Sequence, residues 1–221
     1  MDLCSRKIVG WALADHLKTP LVIAALRRAL ARRATVPAKR QAPKGAAPPP
    51  GQASTEPLAI GFYVNWDDSS YQSLKRELAR LDWVVPEWIR LQTGDDPVVG
   101  EIDPRALDLI RREKPNTPII PMIHNSKEGK WDVPALAQAV GDEMKRRQVI
   151  NALANFVESN HFQGVCVDFE EVPSAAQPAL LRFMQELRGV FHPRGWIVAQ
   201  AATVDDSDWD YCEYAEANAY L

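Results

Sequence analysis

Cysteine is scarce in this chain: three in 221 residues, Cys4, Cys166 and Cys212, widely separated and odd in number. That supports neither a disulfide framework nor a CxxC metal site, and leaves three ordinary thiols. Long apolar runs are missing as well. The stretch from Leu21 to Leu30 is short and is interrupted by Arg27 and Arg28, whereas a membrane span needs about 18 or more apolar residues. No signal-peptide pattern follows Met1, so the sequence by itself offers no route out of the cytoplasm. Glycine-rich phosphate loops of the Gly-x-Gly-x-x-Gly or Gly-x-x-x-x-Gly-Lys-Ser/Thr kind follow none of the first strands, which removes the cradle of a doubly wound nucleotide site. His124 has no second histidine or acid motif at metal-ligand spacing, and neither a metal nor a cofactor is implied.

What is present is unevenly distributed. Residues 1 to 50 hold ten Lys or Arg against Asp2 and Asp15, so a head of net charge +8 precedes a remainder of −11. A basic head on an acidic body suggests two pieces of different origin. Between them, residues 36 to 57 carry Pro37, Pro43, Pro48, Pro49, Pro50 and Pro57 among Ala, Gly, Gln and Lys. With almost nothing to bury, this segment reads as a linker.

In the head, Ile8 to Leu13 reads as a strand, and Thr19-Pro20 opens a helix with Leu21, Val22, Ala25, Leu26 and Ala29 on one side. The wording Asp2-Leu3-Cys4-Ser5-Arg6-Lys7-Ile8-Val9-Gly10-Trp11, with Ala25-Leu26 and Arg32-Arg33, resembles the integrase core of insertion-sequence transposases. That family holds metal ions with three separated acids, none of which can be placed here. One strand and one helix cannot bury a core alone. Residues 1 to 35 are therefore expected to be a fusion fragment, with Arg27, Arg28, Arg32 and Arg33 a solvated helix face and no nucleic-acid partner.

From residue 58 strands and helices alternate. Candidate strands are Ala59 to Asn65, Trp83 to Leu91, Pro118 to His124, Gly164 to Glu170 and Trp196 to Ala202, with a sixth beginning at Ala219-Tyr220-Leu221. Helix starts are marked by Asp103-Pro104, Asp132-Val133-Pro134 and Gln177-Pro178. Near-continuous apolar strands separated by helices indicate an α/β fold of parallel βαβ units covered on both faces. A doubly wound sheet and a (β/α)8 TIM barrel both fit. Polar and aromatic residues collect at strand carboxyl ends, namely Tyr63, Asn65 and Trp66, His124 and Asn125, Asp168 and Glu170, which is where barrel enzymes build active sites. Such a barrel takes about 250 residues, while Leu58 to Leu221 supplies 164. The expectation is an incomplete barrel of five to six βα units.

The densest signal is Gly164-Val165-Cys166-Val167-Asp168-Phe169-Glu170-Glu171. Side chains alternate along a strand, so Asp168 and Glu170 share a face, roughly 7 Å apart. Spacing alone fits a solvated strand end or helix cap equally well. The segment resembles the signature of glycoside hydrolase family 18, the chitinase and peptidoglycan-hydrolase family, Asp-Gly-x-Asp-x-Asp-x-Glu. Gln163, Gly164, Cys166, Asp168 and Glu170 fill its places, so the first two acids are replaced and the last pair remains. Phe162-Gln163-Gly164 is similar to the branch with spore-cortex hydrolases. The stretch from Gly61 through Ala201 resembles a hydrolase-like module found beside polysaccharide deacetylase and family 2 glycosyltransferase modules, in proteins expected to be membrane-anchored or extracytoplasmic.

Glycosidic cleavage near neutral pH needs a carboxylic acid of raised pKa, and a neighbouring charge such as Asp168 raises Glu170. In the family the nucleophile is the substrate's own 2-acetamido oxygen. The resemblance thus implies Glu170 as general acid/base, Asp168 as orienting and electrostatic partner, and a glycan bearing N-acetylglucosamine as substrate. Cys166 replaces an acid that can share a proton with Asp168, and a thiol does this poorly. Tyr63 and Trp66 are candidates to stack on sugar rings, and Asn125 and Gln200 to hydrogen-bond them; packing and ordinary loop polarity explain these residues about as well. Glu171 alternates to the other face. The family's Met-x-Tyr-type segment is expected beyond Leu221. A glycan-binding module without turnover and a DNA-associated transposase remnant remain as alternatives.

Overall fold

The computed structural model describes residues 58–201. The integrase-like fragment (1–35), the linker (36–57) and the sixth strand at Ala219-Tyr220-Leu221 lie outside the described residues.

Strand β1 (Ile60–Tyr63) leads to helix α1 (Asp68–Glu77), whose first turn is capped by the Asp67 carboxylate accepting from the Ser69 N–H at 2.8 Å. Then come β2 (Trp83–Pro86), β3 (Ile89–Leu91) and β4 (Val98–Gly100). Helix α2 (Pro104–Glu113) starts at the Asp103 cap with proline in its first turn. Strand β5 (Met122–His124) runs into a small hairpin, β6 (Ser126–Lys127) and β7 (Lys130–Trp131). Helices α3 (Val133–Gly141) and α4 (Glu143–Ser159) follow, capped by Asp132 and Asp142. Strand β8 (Gly164–Asp168), α5 (Gln177–Phe191) and β9 (Ile197–Gln200) complete the order.

All five anticipated strands are present, and they neighbour one another in chain order. β1 pairs with β2, β2 meets the residues before β5 through a parallel bridge between Val84 and Ile119, β5 pairs with β8 and β8 with β9, every contact parallel. A doubly wound sheet reverses its order at a switch point; none occurs among the described residues. The second strand differs from the expectation of one run from Trp83 to Leu91. Pro86 lacks a ladder donor, and the chain breaks at Glu87 and Trp88 before β3 resumes pairing with β5 and adds the antiparallel β4.

The two faces of the sheet are covered differently, as the barrel alternative implies and the doubly wound one does not. Val84, Ile119, Ile123, Val165 and Val167 point outward into one large core shared with the helices. Each such side chain, fully buried, contributes about 1.5–3 kcal/mol. Alternating with them, Val85, Ile120, Met122 and Cys166 form a second, smaller cluster with Ile60, Trp83, Ile197 and Ala199, all strand or near-strand residues. Helices on one side and a strand-only layer on the other are the layering that a barrel wall has. Phe62, which follows Ile60 on this inner side, is 64% exposed. Among the described residues no helix is long and apolar enough to cross a membrane.

Candidate active site

Cys166 belongs to the inner layer while Val165 and Val167 belong to the outer core, so Asp168 emerges on the inner face at the carboxyl end of β8. The strand stops there, two residues earlier than expected. Phe169 turns outward and packs on Phe183, ring centroids 5.8 Å apart, which returns Glu170 to the inner side. Glu171 has φ 52°, a left-handed turn that ends the extended run.

Glu170 lies past the ladder, and its backbone is held by a side chain instead. Asn125, fully buried, accepts from the Glu170 N–H through Oδ1 at 2.9 Å and donates from Nδ2 to the Glu170 carbonyl at 3.0 Å. An amide side chain thus reproduces one rung of a parallel sheet. This replaces the expected role of Asn125 in sugar binding, because its polar atoms are engaged by the backbone of the acid it positions.

Burial, and then the Glu170 charge, push the Asp168 carboxyl up to about 6. The raised acid expected from the sequence was Glu170. Cys166 is buried among Val85, Ile120 and Met122, and burial followed by the Asp168 charge lifts its thiol to about 12, so it stays neutral. Gln163, where the signature has an acid, accepts from the Ile119 N–H at 2.8 Å and donates to the His161 carbonyl at 2.8 Å. It fastens the start of β8.

Two of the proposed sugar contacts fall on the other face. Tyr63 is 2% exposed, lies edge-on to Trp88 and donates its hydroxyl proton to Asp103 Oδ2 at 2.6 Å. It ties β1 to the cap of α2 and presents no ring to a ligand. Gln200 is the register partner of Val167 and alternates with the inner Ala199, which sets it on the helix side of β9. Trp66, by contrast, stands in the loop after β1 and is 68% exposed.

Glu87 was not anticipated. It follows Val85 by two residues, donates its N–H to the Tyr63 carbonyl at 2.8 Å, and has a side chain 20% exposed. Burial first, then the charges of Asp168 and Glu101, raise it to about 7. The signal was an acid after proline inside Trp83-Val84-Val85-Pro86-Glu87-Trp88-Ile89. His124, register partner of both Arg90 and Asp168, accepts the Ser126 N–H on Nδ1 at 3.1 Å and sets Nε2 3.5 Å from Glu87 Oε1. Burial, chiefly, lowers its pKa, so the imidazole is neutral. Among the described residues no group of three His, Cys, Asp or Glu is arranged to hold a metal ion.

A carboxyl raised by folding binds its proton more tightly folded than unfolded, so it lowers stability as pH rises from its unfolded to its folded value. For Asp168 that window runs from 3.8 to about 6. Asp168→Asn will therefore be more stable than the parent at pH 8 by about 1–2 kcal/mol, allowing for partial solvent screening. Urea unfolding between pH 4 and 8 will show the gap closing as pH falls; a gap independent of pH contradicts the assignment.

An inner wall with acids at the carboxyl ends of parallel strands defines a class of fold before any single relative is considered: an α/β fold with a parallel sheet that matches part of the barrels of chitinases and spore cortex-lytic enzymes. A class V chitinase from Pseudomonas fluorescens Pf-5 superposes with a TM-score of 0.65 at 20% identity, over 75% of this chain and 52% of its own. The spore cortex-lytic enzyme SleL of Bacillus cereus gives 0.62 at 14% identity, over 73% of this chain and 39% of its own. A class V chitinase from Nicotiana tobaccum in complex with NAG4 gives 0.55 at 14%, over 66% and 44%. The chain thus spans about half the length of these structures or less. No family model and no curated protein matches the sequence.

Proposed function

We propose that this chain is a family 18-type glycosidase module acting on an N-acetylglucosamine-containing polysaccharide by a substrate-assisted, retaining mechanism. The observation that carries the reading is the acid pair Asp168 and Glu170 at the carboxyl end of β8, on the inner face of a sheet whose fold matches part of chitinase barrels.

Glu170 donates a proton to the glycosidic oxygen as the bond to the anomeric carbon breaks. The acetamido oxygen of the same sugar forms the new bond, giving an oxazolinium ion. The Asp168 carboxylate accepts the acetamide N–H, orients the group for attack and offsets the positive charge that develops. Water then attacks the anomeric carbon, Glu170 takes its proton, and two inversions give retention. Trp66 supplies an exposed indole for stacking on a sugar ring. Asn125 acts through the backbone of Glu170.

One observation favours a second reading, a glycan-binding module without turnover: Cys166 is a buried neutral thiol where the signature has an acid. Incubation of the full chain with N-acetylglucosamine oligomers separates the two. Shortened oligomers whose new reducing ends first appear in the retained configuration are expected. Binding without hydrolysis selects the second reading, and neither binding nor hydrolysis overturns both.

A further inference from the structure

Strand β5 leaves the sheet at Asn125, and Ser126 to Trp131 form the β6–β7 hairpin, in which Ser126 pairs with Trp131 and Lys127 with Lys130. Glu128 at φ 52° and Gly129 at φ 74° make the two-residue tip, a turn that needs both in the left-handed region. The Asn125 carbonyl accepts the Asp132 N–H at 2.7 Å, which closes the hairpin at its base. Asp132 is fixed in turn to α3, its Oδ1 accepting the Ala135 N–H at 2.9 Å and its carbonyl the Leu136 N–H at 3.1 Å. The mechanism above makes no use of this base.

Asn125 is therefore held on two sides. Its main chain is bound to the exit of the hairpin, and its buried side chain to the N–H and carbonyl of Glu170 at 2.9 and 3.0 Å. Glu170 for its part stands past the end of both ladders. Strand β8 pairs with β5 as far as Asp168 opposite His124, and with β9 as far as Val167 opposite Gln200, where the Ala201 N–H reaches the Val167 carbonyl at 2.9 Å. Among the described residues no other hydrogen bond holds the Glu170 backbone. A side-chain amide can stand in for a ladder rung only while its own backbone is fixed, because it swings with the peptide that carries it.

We propose that Asp132 is a positioning residue for Glu170: its N–H fixes the Asn125 carbonyl, and through it the amide that carries the Glu170 backbone. The base of the β6–β7 hairpin and the cap of α3 then set where the acid stands. The proposal rests on the glycosidase reading for its purpose, and on three hydrogen bonds for its existence. A general acid works only within hydrogen-bond reach of the departing oxygen, so a small displacement of Glu170 falls on the rate. Strain placed on the exposed hairpin reaches the acid by the same route.

The test is hydrogen exchange of the Glu170 amide, read by NMR on the full chain, which needs no substrate. The Cys166 amide, bonded to the Pro121 carbonyl at 2.9 Å, is the reference on the same strand. In Asn125→Ala the Glu170 amide is expected to exchange about 10–100-fold faster while Cys166 keeps its rate. Asp132→Pro and Asp132→Ala both lose the carboxylate that caps α3, but only the proline variant loses the N–H, and φ −85° at Asp132 is close to the proline value. The Glu170 amide is expected to exchange about three- to tenfold faster in Asp132→Pro than in Asp132→Ala. Gly129→Val strains the hairpin tip, where an added Cβ meets no atom within 4 Å, and is expected to move Glu170 in the same direction; Gly94→Val, equally unobstructed at φ 112° in the loop after β3, is expected to leave it unchanged. A Glu170 amide that exchanges alike in the two Asp132 variants, stays unmoved in Gly129→Val, or moves as much in Gly94→Val overturns the proposal. With N-acetylglucosamine oligomers, kcat is expected to fall further in Asp132→Pro than in Asp132→Ala at similar KM, and an aryl glycoside with an acidic phenol to show a smaller gap. Absence of hydrolysis by the parent with the exchange pattern intact sinks the glycosidase reading and leaves the tie from Asp132 through Asn125 to Glu170 standing.

Discussion

Under the proposed glycosidase function, Glu170→Gln will lower the hydrolysis of N-acetylglucosamine oligomers by about 10²–10⁴-fold, the range for losing a general acid. The change is close to isosteric, and both hydrogen bonds that hold this position run from Asn125 to the backbone of residue 170. The fold and the placing of the side chain are therefore kept, and the loss falls on kcat. An aryl glycoside with an acidic phenol leaving group needs less help from a proton donor, so its rate will fall less than that of an unsubstituted oligomer. A uniform fall across both substrates points to a binding defect, and equal rates for parent and variant remove Glu170 from the chemistry. The variant also removes the charge that helps to raise Asp168, so the Asp168 midpoint will drop.

Gly164→Ala will cost about 3 kcal/mol or more, at or beyond the upper end of ordinary overpacking. A Cβ at Gly164 would sit 2.0 Å from the Ile197 carbonyl oxygen and 2.7 Å from the Ile197 C and N. Those atoms are backbone, not the end of a flexible side chain. Ile197 is also the register partner of Gly164 and donates its N–H to the Gln163 carbonyl at 2.8 Å. Relief therefore requires β9 to leave the first rung of β8. Urea unfolding of parent and variant measures the loss; a midpoint within about 0.5 kcal/mol of the parent, the scatter of neutral surface changes, contradicts the close approach.

The five parallel strands were legible because a strand buried on both faces shows as an unbroken apolar run, as in Gly164-Val165-Cys166-Val167. The starts of α2, α3 and α5 were legible from acid-proline or glutamine-proline pairs. Helix α1 was not, since only Leu74 within it is buried and its sequence carries little periodicity. The start of α4 at Asp142 was not legible either, since its cap lacks the proline that marked the other three. Strand β4, Val98-Val99-Gly100, is too short to show a period, and the β6–β7 hairpin is both short and polar. At the site, the shared side of Asp168 and Glu170 follows from alternation within one strand. The sides taken by Tyr63 and Gln200 depend on registers between strands, Tyr63 with Pro86 and Gln200 with Val167, and no local pattern encodes those. The bond from Asn125 to Glu170 spans 45 positions, beyond the reach of any sequence window. Glu87 was overlooked because an apolar run containing one proline was read as continuous.

The two-sided wall has a consequence for how this sequence can drift. Along β8 and its extension, odd-numbered positions, Val165, Val167 and Phe169, face the helices and hold the layers together. Even-numbered positions, Cys166, Asp168 and Glu170, face inward. Mutational tolerance is thus divided by parity. Exchanges at Asp168 and Glu170 touch neither core cluster, while exchanges at odd positions erode cohesion and leave the acids untouched. Such a strand can lose either inward acid and keep its packing, whereas Cys166, inward but buried, is held by the inner core itself.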